Sequence, residues 1–580
     1  MSTSQTLSTR WSRAMNRLAA RRAGLSRPAT AFLSQPEPRS IGYLARGRQL
    51  CAGNFVFAGH LVQAPGVSIW DIKPPDAAFA AELHGFGWLD DLAAAGDAAA
   101  RERAQAWLWE WITRFGNGAG PGWTPDLTGR RLIRWISHAL FLLRGQPSDS
   151  SAPIYRSLAR QTRFLSGRWK AAYPGLPRFE ALTGLIYAGL SLEGMRAHVA
   201  PALAALAREC DGQIDATGGL STRNPEELLD VFTLLTWVAL SLSEQGQTTD
   251  DALWRAIERI APTLRSLRHA DGGLARFHGG GRGLEGRLDG ALATSGVKTQ
   301  IDDGLAMGFA RLGAGRTSVI VDAAPPPTGP SSAGAHASTL AFELTSGRRP
   351  LIVNCGSGHS FGPDWRRAGR ATPSHSALVL ASGSSARLSN DKRHSDWLSD
   401  APRNVTISQS KAPDGLRFDG AHDGYLRSHG LTHVRRLDLS SDGRGLAGEE
   451  MLLAIEDADK RRFDRALDET RLHGIPYDVR FHLHPEVDAS IDMGGTAVSL
   501  ALRSGEIWVF RNDGHAALSL QPSVYLEKTR LKPRATQQIV LSGRAMAYAT
   551  HLRWSLAKAQ DTPVGIRDVT EDALDPAADE

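Results

Sequence analysis

The spacing of apolar positions changes once along the chain, near residue 295, and the change predicts two modules. From 97 to 269 the period is helical. Residues 98–115 place Trp107, Trp111 and Phe115 on one stripe, with Arg101, Glu102, Arg103 and Glu110 interspersed. A loop rich in Gly and Pro over 116–129 leads to a helix over 131–143, with Leu132, Trp135, Ile136, Ala139 and Leu143 on its apolar face. Further helices are predicted over 154–172, 180–192, 197–211, 225–244 and 250–268. Short connections make neighbours antiparallel, which builds either a solenoid or a closed ring.

Beyond 295 the apolar runs are short, many of them alternating, and bounded by Gly, Asp, Ser or Pro. Strands are predicted over 337–344, 351–354, 376–380, 405–409, 433–439, 479–484, 507–510 and 538–541, the cadence of an antiparallel β-sandwich. The segment 325–334 is a loop inside this β domain, and 271–290 belongs to the seam. The expected division is a basic N-terminal arm (1–40), a helical domain (41–294), a β domain (295–560) and an acidic tail (561–580).

A chain of 580 residues, 42% hydrophobic and 22% charged, is an ordinary globular composition, too long for a single core. The net charge of +6 gives only weak attraction for acidic ligands. Cys51, Cys210 and Cys355 lie too far apart to write a disulfide framework or a CxxC zinc site. The uncharged run 231–243 is too short to cross a bilayer, and the polar residues 1–9, followed by Arg10, Arg13 and Arg17, lack the apolar core of a secretory signal. The basic stretch 10–27 carries Trp11, Met15, Leu18 and Leu25. It reads as a solvated arm or as an amphipathic contact with an anionic membrane surface. The FHGGGRG segment (277–283) lacks the GK[ST] ending and preceding strand of a phosphate loop, and nucleic acid is not an expected partner.

Several longer segments carry a resemblance. They are FGWLDDL (86–92), GPGWTPDLTGRRLIRWISHA (120–139) and GGLSTRNPEELL (218–229) in the helical half. In the β half they are AHASTLAFELTSGRRPLIVNCGSG (335–358), TPSHSALVL (372–380), HDGYLRSHGLTHVRRLDL (422–439) and RFHLHPEV (480–487). In this order and spacing they resemble the heparinase II/III-like polysaccharide lyases. The resemblance implies an (α/α) toroid packed on a β-sandwich, with the substrate cleft between them. It also implies β-elimination on an acidic, uronate-containing polysaccharide, a carbon–oxygen lyase activity. That chemistry needs a group to neutralise the carboxylate, a base for the C5 proton and an acid for the leaving oxygen.

Position by position, this sequence departs from the family. Leu176 and Pro177 stand where relatives have an Asn-His pair, and Glu227 where they have a Tyr. Gly334 and Ser338 flank His336 in place of a His-x-His-x-Asp cluster, and Asn354 replaces an Asp, while His375 matches. The expected catalytic residues are therefore His336, His375 and Tyr425, with Arg223, Asn224, Trp123, His278, Arg282 and Asn354 contacting substrate. No metal ligand is assigned. Zinc or another divalent ion on His336, Asn354 and His375 would bind more weakly than on a His/Asp set, because Asn brings no charge. The alternative is a catalytically altered or inactive glycan-binding protein of the cell envelope. The resemblance implies an envelope or periplasmic location, with the cytoplasm as the alternative.

Each candidate also has a plainer reading. Asn224, Pro225 and Glu227 spell a capping box, which leaves Arg223 just outside the helix and free for an anion. His336 opens a strand as a rim residue over the core. His278 and Arg282 sit on a solvated turn, and His482 and His484 point together to a polar surface. Trp123, in a loop without periodicity, offers a stacking face for sugar, and Tyr425 is the tyrosine best placed for proton transfer.

Overall fold

The computed structural model describes residues 7–25, 27–34, 36–146, 151–248, 250–301 and 303–559. The tail expected over 561–580 lies outside the described residues. A helical N-terminal region is followed by antiparallel sheets, and the boundary falls where the helix Arg287–Ser295 ends.

The predicted helices form with shifted ends. Pro225–Glu244 is as predicted, because Asn224 accepts from the amides of Glu226 and Glu227 and Pro225 occupies the first turn. The helix predicted over 131–143 instead starts at Pro125 and breaks at His138, giving Pro125–Ser137 and Ala139–Leu143. Ahead of residue 97, the helices Leu44–Cys51, Ala77–Gly85 and Trp88–Ala95 and the hairpin Asn54–Phe57/His60–Gln63 were not legible as periodic runs. The N-terminal stretch is a docked helix, Leu7–Ala23, and not a solvated arm. Ala20 and Asn16 are buried, and Arg168 donates to Asn16 at 2.8 Å.

An aromatic cluster fills the helical region: Trp70, Phe86, Trp88, Trp107, Trp111 and Trp135 pack edge-on or tilted. Arg131, fully buried, lies over Trp111 at 4.1 Å and donates to Gln161 and to the carbonyls of His84 and Gly122.

One eight-stranded sheet runs in the order Val405–Ala412, Gly415–Tyr425, Leu431–Ser440, Gly445–Leu453, Ala549–Lys558, Ile507–Asn512, Ala497–Ala501, Asp488–Asp492. The other runs Ala517–Tyr525, Arg534–Ala545, Ile475–Leu483, Arg349–Val353, Phe342–Ser346, Thr317–Asp322, Phe309–Ala314, with Leu378–Leu380 also paired to Ile475–Leu483. Phe342 and Phe481 of the second meet Trp554 and Phe510 of the first, so the two share one core. A buried ion pair sits between neighbouring strands of the first sheet, Arg435 opposite Glu450. Arg435 Nε donates to Glu450 Oε1 at 2.8 Å, and its Nη1 reaches the carbonyls of Leu340 and Ser376. Among the described residues no helix is long and apolar enough to cross a membrane.

Candidate functional site

The seam is organised by Arg223, which the sequence left free for an anion. It is not free. Its five N–H groups are all used: Nε on the Met307 carbonyl (3.1 Å), Nη1 on Ala324 and Pro325 (3.1 and 2.9 Å), Nη2 on Gly308 (2.7 Å) and Asp322 Oδ1 (2.5 Å). The backbone bends to allow this: Arg223 and Met307 adopt left-handed φ of 50° and 51°. Gly308 has φ 78°, and a Cβ there would lie 2.7 Å from Arg223 Nε.

Beyond Asp322 the chain of contacts leads through three histidines. His375 Nδ1–H donates to the Ala371 carbonyl at 2.9 Å, which leaves its Nε2 as an acceptor. His336 Nδ1–H therefore donates to it, at 3.0 Å. The backbone N–H of His336 donates to His278 Nδ1 at 3.2 Å, so Nε2–H of His278 faces Asp322 Oδ2. At 3.3 Å that contact is electrostatic and too poorly aligned for a good hydrogen bond. Ser338 also donates to Asp322, at 2.7 Å.

Burial sets the charge state of this chain. Burial alone would raise the Asp322 carboxyl, but Arg223 and His278 outweigh it and hold it below the usual carboxylate range. Burial lowers His375 to about 4 and, together with the neighbouring histidines, takes His336 well below its ordinary value. His278 is lowered by burial too, against the pull of Asp322. Three neutral imidazoles and one carboxylate paired with a guanidinium are the result.

Two expected catalytic residues are thus brought together, and His278 joins them. The others are not part of the cluster. Tyr425 is buried, and its hydroxyl donates to the Leu378 carbonyl at 2.8 Å. Burial raises its pKa above the ordinary phenol value. Asn354 has no exposed surface; its Oδ1 accepts from Ser376 N at 3.0 Å and its amide turns toward Glu343. That orientation removes it from the metal set considered for His336 and His375, whose facing nitrogens are already bonded to each other. Among the described residues no three His, Cys, Asp or Glu groups lie so as to hold a metal ion. Zinc does not fit this site.

The substrate-contact expectations fare similarly. Trp123 is 3% exposed, packs on Trp111 and Phe164, and donates to the Phe115 carbonyl, so it has no face for a sugar. Asn224 is occupied as a cap. Arg282 alone stays open at the seam, touching Asp271 at 3.4 Å. His336 precedes its strand, which begins at Phe342, because Leu340 turns left-handed with φ 63°. His482 and His484 are buried and not on a polar surface; His482 Nε2 donates to the Pro373 carbonyl at 2.9 Å.

What closes the histidines off was missed in the sequence. Arg370 reaches the carbonyls of Ala335 (2.7 Å), Ser332 and Asp396 (both 2.8 Å). Across the seam, Gly59 of the N-terminal hairpin lies so close to Ser360 that a Cβ would meet its carbonyl at 1.8 Å, and Lys528 pairs with Glu226. Asp322 did leave a signal, since a carboxylate ending the wholly buried strand Thr317–Asp322 needs a cation.

Comparison with known proteins agrees with the two-part fold. The family profile described as "Heparinase II/III-like, C-terminal" matches residues 296–555. FtsZ-localized protein C of Caulobacter vibrioides (strain NA1000 / CB15N) is 31% identical over 555 residues, 92% of each chain. The chain belongs to the heparinase II/III-like family. Among solved structures of lyases, heparinase III matches with a TM-score of 0.68 and 12% identity, over 93% of this chain and 89% of that one. A heparan sulfate lyase HepC mutant from Pedobacter heparinus matches with a TM-score of 0.57 and 14% identity, over 95% and 89%. At such identities the likeness is one of fold.

A pH dependence follows from the neutral histidines. Between the folded value of about 4 for His375 and its ordinary 6.5, the unfolded chain binds the extra proton, so stability falls as pH falls through this window. Acidification from neutral to about pH 5 should cost about 2 kcal/mol from this residue alone. Denaturant unfolding at both pH values checks this. His375→Asn should flatten the dependence, and an unchanged slope would contradict the assignment.

Proposed function

We propose that this heparinase-fold chain localises with FtsZ and acts there by binding, without β-elimination on an acidic glycan. The observation that carries the reading is the buried histidine cluster: His336, His375 and His278 are at most 2% exposed, and the arginine beside them has no donor left for a uronate carboxylate. The replacement of the family's Asn-His pair by Leu176 and Pro177, and of its Tyr by Glu227, supports the same conclusion. Similarity to FtsZ-localized protein C, over nearly the whole of both chains, supports the location. Of the two compartments open from the sequence, envelope and cytoplasm, we take the one that holds FtsZ. The finer architecture in this reading is a helical ring over 41–294 set against a β-sandwich over 295–560.

The lyase reading remains a second one, favoured by a single feature. His336 Nε2 has a lone pair that no described residue bonds, the kind of atom a general base offers. One pair of experiments separates the two. A fluorescent fusion should co-localise with FtsZ, and the purified chain should release no unsaturated uronate absorbance from heparan sulfate or alginate, with or without divalent metal. A steady rise in absorbance that disappears in His336→Ala would establish the lyase instead; a fusion spread evenly through the cell would remove the binding reading.

The N-terminal helix supports a weak contact with an anionic membrane surface. Trp11 and Leu25 stay 70% and 90% exposed on a segment carrying Arg10, Arg13, Arg17, Arg21 and Arg22. Trp11→Glu should reduce co-flotation with phosphatidylglycerol vesicles while leaving the thermal transition in place. Equal flotation of parent and variant would end this proposal.

A further inference from the structure

On the strand Phe342–Ser346, Glu343 and Thr345 alternate with the core residues Phe342 and Leu344, so they leave the strand on the side away from that core. The segment 269–282 lies over this side, and a pocket remains between the two, bounded also by Tyr525 and Pro350. One cause of the opening is local. The register with Arg349–Val353 shifts between Leu344 and Thr345, and Thr345 then faces Pro350, which has no N–H for the ladder. The pocket holds about 340 Å³ of empty space, its open mouth included, and is narrow inside. None of its residues belongs to the histidine cluster.

Donors outnumber acceptors in this lining. Its two carboxylates are turned to backbone amides: Glu343 Oε2 accepts from Arg276 N at 3.0 Å, and Asp271 Oδ1 from Gly273 N at 2.9 Å. The guanidiniums are held more loosely. Arg276 Nε stands 3.6 Å from Glu343 and Arg282 3.4 Å from Asp271, both longer than a charge-assisted hydrogen bond. Arg276 Nη2 donates to the Asn354 carbonyl, while its Nη1 bonds no described residue. Tyr525 and Thr345 are 5% and 2% exposed; their hydroxyls bond no described residue either, yet neither oxygen is fully enclosed. Buried donors left in this way need an acceptor from outside the chain. The plane of Arg276 is fixed in advance, because it lies over the Tyr525 ring at 4.0 Å.

The potential has the matching sign. The His484 ring packs 5.0 Å behind Tyr525, and its pKa is pushed down to about 3, by burial first and then by Arg276, Arg534, Arg282 and Arg503. We propose that this pocket binds one carboxylate group, carried by a small dicarboxylic acid or by an Asp or Glu side chain of a partner protein. A flat acceptor of single charge suits a guanidinium and two hydroxyls, whereas a phosphate dianion meets repulsion from Asp271 and Glu343. The narrow interior favours a head group on an alkyl stem over a sugar ring.

Saturation-transfer NMR of glutarate, titrated against the full chain at neutral pH and low ionic strength, tests this. Saturable binding is expected. It should weaken about tenfold in Arg282→Gln and about fivefold in Tyr525→Phe, and tighten in Asp271→Asn, which removes a competing anion. Thermal melts establish that the variants fold. A triglutamate peptide blocked at both ends is the second probe: binding tighter than glutarate, with the same dependence on Arg282 and Tyr525, identifies a protein side chain as the source, and weaker binding identifies the small acid. No saturable transfer, or binding that neither Arg282→Gln nor Tyr525→Phe weakens, would overturn the proposal. So would inorganic phosphate or glucuronate binding more tightly than glutarate.

Discussion

The guanidinium of Arg223 ties the two halves of the molecule together. Arg223 stands just ahead of a helix in the N-terminal region, and all its donors end on the β side or its entry segment: four carbonyls between Met307 and Pro325 and the carboxylate of Asp322. Removing either partner of a pair buried this deeply typically costs about 3–5 kcal/mol, because the other is left as an uncompensated charge. The left-handed residues and the bare glycine around it are tolerated because this contact over-determines them.

The same contact decides what the histidines can do. With Asp322 committed to Arg223, His278 can only face the remaining oxygen, and its orientation fixes the backbone of His336 and so the pairing with His375. In a lyase, one would look for an imidazole open to the sugar, a free neutralising group and a hydroxyl in reach. Here the imidazoles are covered by Arg370 and the segments it ties down, the cation is internal, and the Tyr425 hydroxyl answers to a backbone carbonyl. The fold is that of the heparinase lyases, and the bonds that Arg223, Tyr425 and Asn354 make in it are internal ones.

Much of this was legible in the residues, for physical reasons that also explain the failures. The capping box at Asn224 set one helix start without error, since its signals are local. Trp107, Trp111 and Trp135 were core by periodicity and are core. Strands such as Gly415–Tyr425 went unread because their inward positions include Gly420 and the buried His422 while Arg417, Asp419 and Asp423 face out, which masks the apolar alternation. Trp123 misled because a loop tryptophan has no period, and only the fold brings it against Trp111. Arg223 misled for the deeper reason that backbone carbonyls a hundred residues away leave no mark in a sequence. The pairing of His336 with His375 came from the family resemblance and could not have come from spacing.

The central claim is that the imidazoles in the seam are buried and neutral. Deuterium exchange at C2 of each histidine, followed by mass spectrometry at neutral pH, reports solvent access and basicity together. His336 and His375 should exchange far more slowly than His515 and His60, whose side chains are 73% and 41% exposed. Exchange of all four at a common rate would contradict the account.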